Sequence, residues 1–199
     1  MTDPRTAAPN VRVLQIVLIA LLVAVMAIPL TALWKAFGPK DATAPDFTLT
    51  DQDGRPFTLS SLRGHPVALM FGYASCPDEC PTALSHLARA VHKPGVAPDV
   101  RVLFISVDPD RDTPTVLKRY VRVFDPAFVG LRGNVPTLDP ILANYHTFRK
   151  VAPPEKGESG YSMEHGTAIY YIGRDGKLTG YGHMDDAVPT MADDLKKYG

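Results

Sequence analysis

Residues 66–81 read Pro66-Val67-Ala68-Leu69-Met70-Phe71-Gly72-Tyr73-Ala74-Ser75-Cys76-Pro77-Asp78-Glu79-Cys80-Pro81. The first six residues form a short continuous apolar run, the pattern of a strand buried on both faces. Gly72 to Ser75 leave that strand. A helix is expected from Pro77 or Pro81 to Val91, because Ala83, Leu84, Leu87, Ala88 and Val91 recur at helical spacing. A buried strand feeding a helix is the first half of a βα unit. In open α/β sheets the reactive groups gather at the carboxyl ends of the strands. The only two cysteines of the chain, Cys76 and Cys80, stand at that place.

Working outward, Val100–Val107 is a second apolar strand. Thr113 and Pro114 open another helix, as N-cap and first helical residue. A short strand is expected over 128–131, a helix over 138–145, a strand over 168–172, a turn at Arg174-Asp175-Gly176-Lys177 and a strand over 178–181. A last helix starts at Asp186 or Pro189 and runs to Lys197. Before the first strand, two Phe-Thr-Leu runs flank Asp53-Gly54 and read as a β-hairpin over 46–59. Residues 152–163 read as a long loop. Alternating β and α units predict a mostly parallel α/β sheet with an antiparallel edge near the C-terminus.

The N-terminal part is of a different kind. Val13 to Leu33 is an uncharged, apolar run of 21 residues, which as a helix spans about 30 Å, the thickness of a bilayer's hydrocarbon core. It is longer than the apolar core of a cleaved signal peptide, and bulky Leu33 and Trp34 end it where small residues would mark a cleavage site. The expected organisation is a cytoplasmic tail over 1–12, a transmembrane anchor over 13–34, a linker over 35–44 and one domain over 45–199. That domain would be extracytoplasmic, on the periplasmic side in a bacterium. The whole chain carries 21 basic and 21 acidic residues. Residues 41–199 carry 17 against 20, so no basic excess exists to neutralise a nucleic-acid backbone.

Cys76 and Cys80 are four apart, one helical turn, close enough for a disulfide or for two thiolates on one metal ion. A bridge over three intervening residues removes little chain entropy, which argues against a purely structural role. A thioredoxin-like redox motif has one residue fewer between its cysteines. Zinc wants four ligands, whereas two soft sulfurs suit Cu(I), and one imidazole would complete a trigonal set able to hold Cu(II). The chain has six histidines. His65 lies at the wrong end of its strand, His86 and His92 lie on the helix after the cysteines, and His146 reads as packing or capping. His165 and His183, both in expected loops, stay open by position alone.

Four ordered motifs narrow the choice. Gly72-Tyr73-x-x-Cys76-Pro77-Asp78-x-Cys80-Pro81-Thr82, Ile105-Ser106-Val107-Asp108-Pro109-Asp110-Arg111-Asp112-Thr113-Pro114, Phe124-Asp125-Pro126-x-Phe128-x-Gly130-Leu131 and Glu164-His165-Gly166 resemble the Sco/SenC family. The resemblance covers about residues 45–197 and the N-terminal anchor. It implies a thioredoxin-like fold on a membrane tether, with one copper ion, Cu(I) or Cu(II), held by Cys76, Cys80 and His165. Cys76 and Cys80 would also be a redox-active pair, and Asp108 a supporting or interaction residue. The implied function is a metallochaperone for the binuclear copper centre of cytochrome c oxidase, with thiol–disulfide reductase activity as a companion or alternative role. Its partners would be a copper-accepting oxidase subunit, other copper chaperones or thioredoxin-like reductants. A copper or redox sensor is a third reading. Ser162-Met163-Glu164 and Gly166 replace commoner family residues beside the histidine. Met163 reads as packing rather than as a donor.

Overall fold

The apolar run after Pro66 becomes the central strand of a seven-stranded sheet. The computed structural model describes residues 42–154 and 160–198 and, before them, only Gln15. The first strands are β1 (Thr48–Asp51), β2 (Pro56–Thr58) and β3 (Val67–Gly72), followed by helix α1 (Glu79–Ala90) and β4 (Arg101–Ser106). Helix α2 (Pro114–Phe124), β5 (Val129–Arg132) and helix α3 (Val135–Asn144) come next. The chain then forms β6 (Arg149–Ala152), β7 (Ser162–His165), β8 (Ala168–Ile172), β9 (Leu178–His183) and helix α4 (Val188–Tyr198).

The sheet order is β2-β1-β5-β4-β3-β8-β9. Strands β3, β4 and β5 run parallel, β8 pairs antiparallel with β3, and β9 with β8. The parallel unit β3–α1–β4 followed by the antiparallel unit β8–β9–α4 is the core of a thioredoxin-like fold. All six residues of β3 are buried, because helices and neighbouring strands close both of its faces. Met70, Phe71, Leu103, Phe104 and Ile105 are fully buried beside Leu84 and Leu87 of α1, and α1 packs against α2 and α4.

The local signals behave as their chemistry requires. Thr113 Oγ1 accepts from the Val116 amide at 3.3 Å, with Pro114 opening α2. Asn134 Oδ1 accepts from the Thr137 amide at 3.0 Å, so α3 starts at Val135 rather than at 138. The 46–59 hairpin forms as β1–β2 and joins the sheet edge beside β5. The expected loop over 152–163 is corrected only at its ends, where Ala152, Ser162 and Met163 lie in strands. Arg149–Ala152 and Ser162–His165 pair as a separate two-stranded hairpin, β6–β7. These strands are four residues long, with two polar residues in β6 and three in β7, too short for alternation to declare them. Among the described residues no helix is long and apolar enough to cross a membrane. Apart from Gln15, the anchor expected over 13–34 lies outside the described residues.

Gly72 closes β3 where the sheet meets the start of α1. A Cβ there would stand 2.7 Å from both Cys80 Sγ and Phe104 Cε2. Gly72→Ala should therefore destabilise the domain by about 1–3 kcal/mol through overpacking, read as a lowered denaturant midpoint. An unchanged midpoint would mean that the Cys80 and Phe104 side chains yield freely.

Candidate functional site

Cys76 lies in the turn after β3, half-buried, and Cys80 lies in the first turn of α1, fully buried; both are free thiols. Asp78 occupies the N-cap position of α1 without making a side-chain capping bond. The sulfur of Cys76 serves the exposed amides of the first turn instead, accepting from the Cys80 N–H at 3.4 Å. This placement favours the thiolate. The hydrogen bond from the Cys80 side chain, aided by backbone N–H groups of Cys80 and Asp78, brings Cys76 down to about 6. Cys80 moves the opposite way, raised by its hydrogen bond to Cys76 and by burial. Of the two, Cys76 is the thiol whose surroundings favour the thiolate, and Cys80 the one whose surroundings favour the thiol.

His165 ends β7 and is therefore a strand residue, not the loop residue that its sequence position suggests. Its Nδ1–H donates to the Gly166 carbonyl oxygen at 2.9 Å, which leaves the Nε2 lone pair free. Nε2 stands 3.7 Å from Cys80 Sγ, across 85 residues of sequence. Burial lowers the His165 pKa, so the ring is neutral near pH 7. The Tyr73 ring meets the imidazole edge-on at 5.8 Å, and Tyr73 Oη lies 3.1 Å from Ser162 Oγ. Cys76, His165, Tyr73, Asp78, Glu79 and Met163 line one open cleft. Met163 shares the inward face of β7 with His165 and is 4% exposed.

Of the three expected ligands, the structure places Cys80 between the other two, its amide 3.4 Å from Cys76 Sγ and its sulfur 3.7 Å from His165 Nε2. Among the described residues no group of three His, Cys, Asp or Glu side chains stands close enough together to hold a metal ion. Holding one ion there would require both thiol protons to leave and the donors to draw together.

Asp108 does not join this set. It is buried at the end of β4, where its carboxylate pairs with Arg111 Nε and accepts from Tyr161 O–H at 2.8 Å. Arg111 donates to the Tyr161 carbonyl oxygen at 2.7 Å, and its guanidinium lies 3.8 Å from the Tyr161 ring centroid. Position in the chain did not single out Tyr73, Arg111 or Tyr161, although Tyr73 and Arg111 stand inside the quoted motifs. The other histidines are engaged elsewhere. His65 meets Asp99, His92 meets Asp125, and His86 is half-buried with Nδ1 3.0 Å from the Asp186 carbonyl. His183 ends β9 and contacts Thr167 and Asp185, while Met184 beside it is buried. His146 takes a positive φ of 51° just after α3, a capping position.

The opposed thiol shifts make a direct expectation for the reduced, metal-free chain. Cys76 should alkylate with a midpoint near pH 6 and reach a plateau by about pH 8, where an ordinary thiol is still gaining rate. Cys80 should stay unmodified until the protein unfolds. Mass spectrometry of peptides after timed iodoacetamide treatment reads both. Equal modification of the two thiols, or a midpoint near 9, would contradict the assignment.

A family model described as SCO1/SenC matches residues 36–199. An SCO2-like protein of Rickettsia prowazekii is 32% identical over 160 residues, covering 79% of this chain and 77% of that protein. The solved structure of Bradyrhizobium japonicum ScoI with copper bound is 38% identical, with a TM-score of 0.66, covering 79% of this chain and 100% of that one. Arabidopsis thaliana ScoI with copper bound is 30% identical, with a TM-score of 0.72, covering 79% and 98%. With its motifs, its sheet order and these matches in agreement, the chain belongs to the SCO1/SenC family.

Proposed function

We propose that this chain is a copper metallochaperone. It holds one copper ion on Cys76, Cys80 and His165 and passes it to a copper-accepting subunit of a terminal oxidase, toward the binuclear centre of cytochrome c oxidase. The observation that carries this reading is the approach of His165 Nε2 to Cys80 Sγ at 3.7 Å, beside a second thiol. Two thiolates are the soft donors that Cu(I) prefers, and the added imidazole suits Cu(II). The copper-bound ScoI relatives support the choice of metal. Copper here is cargo, so the ligands must release it as well as bind it. A half-open site with one exposed-edge sulfur favours transfer by ligand exchange.

A second reading rests on the thiols alone. A lowered pKa on half-exposed Cys76 and a raised one on buried Cys80 form the asymmetry of a dithiol reductant. The Cys76 thiolate would attack a partner disulfide and form a mixed disulfide. Cys80 would then lose its proton and displace the partner as a dithiol, leaving a Cys76–Cys80 bridge. That reaction needs no histidine.

In the chaperone reading residues 13–34 remain attached as an anchor, and residues 45–199 face away from the cytoplasm. The uncharged run Val13–Leu33 supports this. Intact mass of the membrane-extracted protein should include that run. A mature N-terminus between residues 35 and 45 would contradict it.

Copper binding and the disulfide should exclude each other, because a bridge leaves no thiolate to offer. The oxidised chain should take up no copper until reduced, as read by copper stoichiometry. His165→Ala should weaken Cu(II) retention more than Cu(I), since two thiolates still hold Cu(I), and should leave dithiol oxidation intact. In cells it should lower oxidase activity, with partial restoration by added copper. Full oxidase activity of that variant at low copper would favour the reductase reading instead.

A further inference from the structure

The hairpin that carries His165 shares no strand pairing with the seven-stranded sheet. His165 is joined to β8 of that sheet only through Gly166 and Thr167, and the rest of the hairpin is held by side-chain contacts, several of which meet on Arg111. We propose that Arg111 is a positioning residue, latching the β6–β7 hairpin onto the end of β4 so that His165 is presented to Cys80. The guanidinium stacks on the Tyr161 ring with Cζ 3.8 Å from its centroid and donates to the Tyr161 carbonyl oxygen at 2.7 Å. Its Nε is paired with Asp108, which is 1% exposed and rooted just after β4.

Tyr161 immediately precedes β7, four residues before His165. In an extended strand, holding the carbonyl at one end sets where the side chains further along can reach. The latch is closed twice over, because Asp108 Oδ1 also accepts from Tyr161 O–H at 2.8 Å. Tyr73 ties it to the imidazole. Its ring lies 5.6 Å from the Arg111 guanidinium and 5.8 Å from the His165 ring, and its hydroxyl meets Ser162 of β7 at 3.1 Å. Arginine is needed for shape as much as for charge. A planar fork can stack on one ring while pairing with a carboxylate and a carbonyl, which the point charge of lysine does not do. The other strand of the hairpin has its own tie, Arg149 Nε donating to the Val107 carbonyl at 2.8 Å.

The consequence for copper rests on the chaperone reading, but the latch itself is testable without metal. The full chain is compared as wild type, Arg111→Lys, Arg111→Met and Tyr161→Phe. In the reduced, metal-free proteins, hydrogen exchange by mass spectrometry should show amides of 162–166 exchanging at least about tenfold faster in Arg111→Met. The β3 and β4 amides should keep their wild-type protection. With copper, Arg111→Met should weaken Cu(II) by about 10–100-fold, the usual effect of losing a group that orients a ligand. Cu(I) retention and the Cys76–Cys80 potential should stay near wild type. Arg111→Lys should recover only part of the loss, and Tyr161→Phe should lie between it and wild type. Should Arg111→Met fail to fold, Arg111→Lys and Tyr161→Phe carry the same comparison. Unchanged exchange in the hairpin, full rescue by lysine, or equal loss of protection in β3 and β4 would each overturn the proposal. A wild-type chain that binds no copper would sink the chaperone reading, while the exchange data would still decide the latch.

Discussion

The approach of His165 Nε2 to within 3.7 Å of Cys80 Sγ joins the first βα unit of the domain to a hairpin near its end. Each side of that contact imposes a demand on the fold. The sulfur sits in a fully buried position, which is possible because Gly72 has no side chain where the strand passes it. The imidazole has to be brought in by a hairpin outside the main sheet. Its tautomer is set by the Gly166 carbonyl and its location by contacts with Tyr73 and its neighbours. Gly166 has a packing reason of its own, since a Cβ there would stand 2.2 Å from Thr147 Oγ1.

The two thiols differ because their surroundings differ. Cys76 collects N–H donors at the start of α1, and Cys80 is wrapped in apolar surface. One sulfur is ready to act as a thiolate near neutral pH, and the other gives up its proton only when something replaces it. A metal ion does so, and so does a mixed disulfide. The proposed copper transfer and the alternative thiol exchange would therefore draw on the same asymmetry, and the histidine is what would separate them chemically. A neutral imidazole with a free Nε2 lone pair is useful to a metal and superfluous to a dithiol.

Much of this was legible in the sequence, for identifiable reasons. The buried strand ending in Gly72 and the helix after it follow from a continuous apolar run and helical spacing. The helix starts at Thr113 and Asn134 follow from side-chain capping, although only the first was read correctly to the residue. The cysteines declared themselves by spacing and by their place at a strand end. His165 did not. It lies 85 residues from Cys80, in a four-residue strand whose polar content hides its pairing. Only the likeness of Glu164-His165-Gly166 to a family motif singled it out. The Arg111–Tyr161–Asp108 cluster was beyond reach for the same reason. A guanidinium stacked on a ring some fifty residues later leaves no periodic trace.

The central claim is that two sulfurs and one imidazole nitrogen from this chain form a single copper site. X-ray absorption at the copper edge of the reduced, copper-loaded chain, beside His165→Ala, tests it most directly. The account predicts two sulfur neighbours and one imidazole nitrogen in the wild type, with the nitrogen lost and both sulfurs kept in the variant. A copper ion surrounded only by oxygen and nitrogen, or an imidazole signal that survives the substitution, would contradict it.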